Sequence, residues 1–146
     1  ITLDIGGNTD LPAIGIMGEP LRVTARVKVI TDGRFTVTGP MMTGAPVDMG
    51  ATVVLDVGPL QLVVSEDRVE PFDLGVFKHC GLDPQAAKYV LIHSRQHFRA
   101  GFEPIAAHIE MVAGPGVCTS DYHSLPFERL ARPIYPLDPD TTYTGA

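Results

Sequence analysis

The chain has 146 residues, 45% of them hydrophobic and 19% charged, enough apolar material for one ordinary core, so neither a disordered chain nor a scaffold stapled by disulfides is called for. Eleven Lys and Arg against seventeen Asp and Glu leave a net charge of −6, which excludes the usual nucleic-acid binder with its basic, phosphate-neutralising face. No run reaches the ~18 apolar residues of a membrane span, and Cys80 and Cys118 lack C-x-x-C spacing, so a soluble protein in a reduced, cytoplasmic setting is expected.

Ile1-Thr2-Leu3-Asp4-Ile5 alternates apolar and polar like a half-buried strand. A chain that opens inside a strand reads as part of a larger protein, and residues 1–146 are expected to form a single domain of it. Gly6-Gly7-Asn8-Thr9-Asp10 follows as a turn; neither G-x-G-x-x-G nor G-x-x-x-x-G-K-[ST] occurs, so nucleotide binding has no support. Leu21 to Val29 alternates, Asp32-Gly33 supplies two residues tolerant of positive φ, and Phe35-Thr36-Val37-Thr38 alternates again, which predicts a hairpin. Gly39-Pro40-Met41-Met42-Thr43-Gly44 is an ordered loop, apolar enough to pack against a ligand, another domain or the core beneath it. A second hairpin joins Thr52–Val57 to Gln61–Ser65 through Gly58-Pro59.

Beyond residue 65 the period changes. Phe72, Val76, Phe77 and Cys80 fall at helical spacing with Gly81 in the stop position, and Asp83-Pro84 can cap a further turn. Lys88-Tyr89-Val90-Leu91-Ile92-His93 is the nearly continuous apolar run of a strand covered on both faces. A helix with Phe98, Phe102, Ile105, Ala106 and Ile109 on its stripe should follow, kinked by Pro104, or ending near Ala107 if residues 108–112 form a closing strand. The remainder is an extended, proline-rich tail with Leu125, Phe127, Leu130, Ile134, Tyr135 and Leu137 as anchors. The predicted class is α+β, a mixed β-sheet with N-terminal hairpins and a strand–helix–strand element.

One segment concentrates chemistry. Ser94 ends the predicted buried strand and is suited to cap the next helix, whose free N–H groups would welcome an anion. The first turn carries Arg95, His97 and Arg99, cations set against the helix dipole, a local rule broken in the way functional sites break them. The bland alternative is that Arg95 and Arg99 pair with acidic residues elsewhere in the fold or lie along the surface with their stems packed. His93 and His97 are four residues apart without the H-E-x-x-H pattern, and His93, His97, His108, His123, Cys80 and Cys118 show no recognisable zinc-ligand spacing. Cys118 beside His123 is better read as an inert thiol than as a nucleophile. No catalytic residue is assigned to this chain.

The order of motifs, Ile5-Gly6-Gly7, Asp32-Gly33-Arg34-Phe35, Gly39-Pro40-Met41, Met49-Gly50, Gly81-Leu82-Asp83-Pro84, Ser94-Arg95-Gln96-His97-Phe98-Arg99, Phe102-Glu103-Pro104-Ile105-Ala106 and Pro136-Leu137-Asp138, resembles the C-terminal domain of the MlrC family, zinc metallopeptidases named for microcystin degradation. His93 stands where that resemblance leads one to expect Lys. The resemblance implies that Zn2+ is bound by an N-terminal domain absent from this chain, with no ligand carried onto any residue here. It implies a zinc-dependent hydrolase of peptide or amide bonds to which this chain contributes substrate or interdomain contacts. Ser94, Arg95, His97 and Arg99 are the candidate substrate-binding residues. The expected partners are the chain's own N-terminal domain and a small peptide or amide substrate, with no nucleic acid and no membrane; a homo-oligomer is compatible with this picture. The alternative from another class is a non-catalytic ligand-binding or domain-interface module.

Overall fold

The computed structural model describes residues 1–7, 18–112 and 121–142. The chain divides into two compact units, Ile1–Ile5 with Arg22–Met111, and Gly6–Leu21 with Val112–Ala146. The Cys118 reading and most of the Gly6–Asp10 turn fall outside the described residues.

The fold is α+β. In the first unit β1 (Thr2–Ile5) pairs with β2 (Leu21–Thr24), β3 (Arg26–Thr31) with β6 (Thr52–Val57) and β7 (Leu60–Ser65), and β4 (Arg34–Thr36) with β5 (Pro46–Asp48). The β3–β6, β6–β7 and β4–β5 pairings are all antiparallel. The second predicted hairpin forms as expected, with Val57 opposite Leu60 across a two-residue turn. Val54 and Leu55 on its central strand are wholly buried.

The first predicted hairpin does not form. β3 runs alongside β6, and β4 turns away to pair with β5, Phe35 opposite Val47. Asp32-Gly33 therefore hands the chain from one sheet to another. Its turn chemistry is nonetheless as read: Gly33 has φ +73°, and the Asp32 carboxylate accepts the Arg34 N–H at 3.1 Å. The Gly39–Gly44 loop closes the β4–β5 hairpin, tied by Thr43 Oγ1 donating to the Gly39 carbonyl at 2.6 Å.

Helix is scarce. α1 is a single turn, Gly75–Lys78, closed where Leu82 N–H reaches the Phe77 carbonyl at 3.1 Å and Gly81 N–H the Lys78 carbonyl at 3.0 Å. Asp83 then caps the 3-10 turn Pro84–Ala86, accepting from Gln85 N–H at 3.0 Å. The long helix expected after residue 94 is reduced to α2 (Arg99–Phe102) and a 3-10 turn, Glu103–Ile105, because Pro104 cannot continue the helical ladder. Met49, Val76, Phe98 and Phe102 form the core cluster, with Phe35, Val47, Phe77, Ile92 and Ile109 packed against it. The Phe77 and Phe102 rings meet edge to face at 6.0 Å.

Residues 88–93 and 108–112, predicted as the strands flanking this helix, belong to no sheet among the described residues. Strand structure needs a partner ladder, and no described strand lies alongside either segment. In the second unit, residues 121–142 contain one 3-10 turn, Tyr122–Ser124. Of the predicted anchors only Leu137 is buried, whereas Phe127, Leu130 and Tyr135 are exposed. The neighbouring Asp138 accounts for this local order. It ion-pairs with Arg132 and accepts the Ile134 N–H at 2.7 Å, and the Arg132 hydrogen bond, followed by that from Ile134, pulls its carboxyl down to about 2.

A Cβ at Gly33 would lie 2.1 Å from the Gly50 carbonyl oxygen, on top of the strain of its positive φ. Gly33→Val is therefore expected to cost about 3 kcal/mol or more, and Asp32→Ala about 1 kcal/mol for the lost turn hydrogen bond. Thermal denaturation of both variants checks the order, and an unshifted transition in Gly33→Val would contradict this packing.

Candidate functional site

The site begins with a carboxylate. Pro71 biases Glu70 toward extended backbone, and the chain between β7 and α1 delivers it to the segment that precedes α2. Glu70 Oε1 accepts the Ser94 hydroxyl hydrogen at 2.7 Å, and Glu70 Oε2 lies 2.8 Å from His97 Nδ1. Ser94 Oγ in turn accepts the Phe98 N–H at 3.2 Å. One carboxylate thus joins two of the four candidate residues. It lies 24 and 27 residues from them in sequence, which is why no local spacing pointed to it.

The other two candidates are placed differently. Arg99 donates from Nη1 to Glu103 at 3.0 Å, one helical turn on, and its guanidinium lies 5.2 Å from the Phe98 ring centroid. Arg99 thus pairs with an acidic residue of its own segment, not with one elsewhere in the fold. Arg95 is exposed and also has an interaction partner. The residue before the first helical one is Phe98, not Ser94, and α2 is one turn long. Ser94 therefore caps a turn leading into the helix, and the anion-attracting helix start expected there is not built.

The electrostatics limit the chemistry. The His97 hydrogen bond first, and that of Ser94 second, hold the Glu70 carboxyl below its ordinary value. A carboxylate so stabilised is a weaker base than a free one, and it accepts the Ser94 hydroxyl hydrogen. For His97, the pairing through Nδ1 fixes the ring and leaves Nε2 on a side chain 54% exposed. This is the carboxylate–imidazole arrangement that positions a histidine for hydrogen bonding or proton transfer at its other nitrogen. Among the described residues no three His, Cys, Asp or Glu gather as a metal site, so the residues present do not fit a zinc centre. Cys80 is a free thiol, buried, donating to the Phe77 carbonyl at 3.0 Å; burial pushes its pKa up, which suits an inert side chain. No described helix is long and apolar enough to cross a membrane.

Because the Glu70 carboxyl is depressed in the folded state, its contribution to stability is fully present above the ordinary value of 4.5 and is lost as pH falls through the lower folded value. Glu70→Gln is expected to lower the melting temperature at neutral pH, with the gap from wild type closing below that value. Melting curves between neutral and strongly acidic pH measure this, and a gap independent of pH would show that the Ser94 and His97 bonds do not depend on the charge.

Among curated proteins, "Microcystinase C" of a Sphingomonas species is 25% identical over 139 residues, covering 92% of this chain and 26% of that protein. A "Putative hydro-lyase" of Saccharopolyspora erythraea is 35% identical over 103 residues, covering 66% of this chain and 39% of its own length. The crystal structure of a "Putative metallopeptidase" from Mesorhizobium sp. BNC1 superposes with a TM-score of 0.75 at 25% identity, over all of this chain and 28% of that one. The chain thus spans between about a quarter and two fifths of the length of these proteins. Residues 1–129 match the family described as MlrC C-terminus, and the chain belongs to that family.

Proposed function

We propose that this chain is the C-terminal domain of a zinc-dependent, MlrC-like metallopeptidase that hydrolyses peptide or amide bonds, and that it supplies substrate contacts rather than metal ligands. The observation that carries this reading is the Glu70 carboxylate bridging Ser94 and His97, which holds an exposed imidazole in one orientation without building a self-sufficient catalytic set. The metal is assigned to the N-terminal region of the longer protein. His97, Arg95 and Arg99 face a substrate carboxylate or the charge that develops during hydrolysis. Glu103 engages one nitrogen of Arg99, and a guanidinium has five donors, so a planar anion can still be received. Ser94 orients the segment. The buried free thiol of Cys80 fits a reduced, cytoplasmic setting.

The second reading, a non-catalytic interface module, is favoured by one observation, the Arg99–Glu103 ion pair between α2 and its following turn. Kinetics separate the two. In the full-length enzyme, Arg95→Ala or Arg99→Ala is expected to lower kcat/KM about ten- to hundredfold, the loss of one charge-assisted hydrogen bond in the transition state, with the melting temperature nearly unchanged. Lys at either position should restore activity only in part, since it cannot reproduce a bidentate fork. A fall in melting temperature with activity per folded molecule intact would establish the interface module instead.

Metal analysis tests the other half of the proposal. The 146-residue chain purified alone is expected to hold no stoichiometric zinc and to hydrolyse no peptide. One tightly bound zinc per chain, lost on replacing His93 and His97, would overturn the assignment of the metal to the N-terminal region.

A further inference from the structure

Two segments of the first unit read in sequence as strands lie open, Lys88–His93 with the run of a strand covered on both faces and residues 108–111 with apolar Ile109 and Met111 alternating with His108 and Glu110. In Lys88–His93, Tyr89 is 84% and Leu91 89% exposed, whereas Ile92 is packed against the core cluster of Met49, Val76, Phe98 and Phe102. In the second segment Met111 is 50% exposed and Ile109 is packed against that same cluster. Each segment is thus anchored by one isoleucine on the core that carries α2, and each leaves neighbouring apolar side chains uncovered.

The backbone agrees. No backbone hydrogen bond joins residues 88–93 or 107–111 to another described residue, and the residues leading into them, Ala87 (ψ 139°) and Ala106 (ψ 127°), are already extended. Peptide groups with no backbone partner among the described residues, set beside exposed Tyr and Leu, are a ready template for added strands. Residues 94–107, with α2 among them, give the dozen or so residues that a crossover between two parallel strands requires. Parallel strands so connected occur in sheets covered on both faces, which is also what the continuous apolar run Tyr89-Val90-Leu91-Ile92 is suited to.

We infer that residues 88–93 and 108–111 are two strands of an incomplete parallel sheet, and that the sheet is completed by the N-terminal region of the longer MlrC-type protein. The inference rests on the preceding proposal only in taking that region as the partner. The matched relatives are about two to four times the length of this chain, and the match is to the family's C-terminus, so such a region is tethered to this surface at high local concentration. A second copy of the chain is the poorer occupant, because two-fold pairing at an exposed edge adds strands without covering the open face.

Hydrogen exchange on the full-length protein tests this without reference to metal or activity. Peptides covering 88–93 and 107–111 are expected to exchange at least ~100-fold more slowly than unstructured amides, at a rate unaffected by tenfold dilution. Leu91→Asp should restore fast exchange in both segments while residues 52–65 of β6 and β7 stay protected; Tyr89→Ser serves the same comparison if the charged variant does not fold. Fast exchange of both segments in the wild-type protein would overturn the inference, as would protection that survives both substitutions. Protection lost on dilution would show that a second copy is the occupant and would equally overturn it. An enzyme found to hydrolyse no peptide would end the functional proposal and leave this measurement untouched.

Discussion

The buried carboxylate of Asp73, 1% exposed, is the constraint on which the first unit depends. It meets no cation. Oδ1 accepts the Gly75 N–H at 2.7 Å and opens α1, while Oδ2 accepts the Gly39 N–H, also at 2.7 Å, from the loop that closes the β4–β5 hairpin. A carboxylate removed from water is costly unless its oxygens are hydrogen-bonded, and here each oxygen has a peptide donor. Two stretches 34 residues apart are thereby locked together. Phe35 of β4 then packs on the core built by α1 and α2, so the hairpin and the helical turns share one apolar cluster.

The sequence patterns that proved readable are those whose information is local. Asp83-Pro84 caps a turn through its own side chain, Gly58-Pro59 returns the chain two residues later, and Pro104 interrupts a helix wherever it occurs. Asp32-Gly33 marks the limit of such information. The dipeptide specifies a change of direction, which it makes, but not which strand lies beside β3: that place is taken by β6, whose Val54 and Leu55 are wholly buried, while Phe35 packs on the core cluster. The candidate site divides in the same way. Ser94-Arg95-Gln96-His97 was visible as a cluster of unusual composition, whereas Glu70 became part of it only through the fold.

Relatives named for different chemistry share this segment, a microcystinase and a hydro-lyase by the names they carry. Those names belong to the longer proteins. Within this chain the Glu70, Ser94 and His97 arrangement consists of an imidazole paired with a carboxylate and a hydroxyl engaged as both donor and acceptor.

The site inherits its rigidity from the same core. A Cβ on Gly101, in α2, would come within 2.7 Å of the Phe72 carbonyl and 3.1 Å of the Asp73 Cα, so α2 rests directly on the backbone that Asp73 pins. Glu70 lies two residues before Phe72, and His97 one residue before the buried Phe98. The two segments that meet in the carboxylate–imidazole pair therefore also meet in close backbone packing two residues beyond Glu70 and four beyond His97. Long, solvent-exposed side chains lose conformational freedom when they pair, which is why most surface ion pairs contribute little. Here the close approach at Gly101 and the buried carboxylate of Asp73 fix the two backbone segments relative to each other, so the 2.8 Å contact of Glu70 with His97 has only side-chain freedom left to lose.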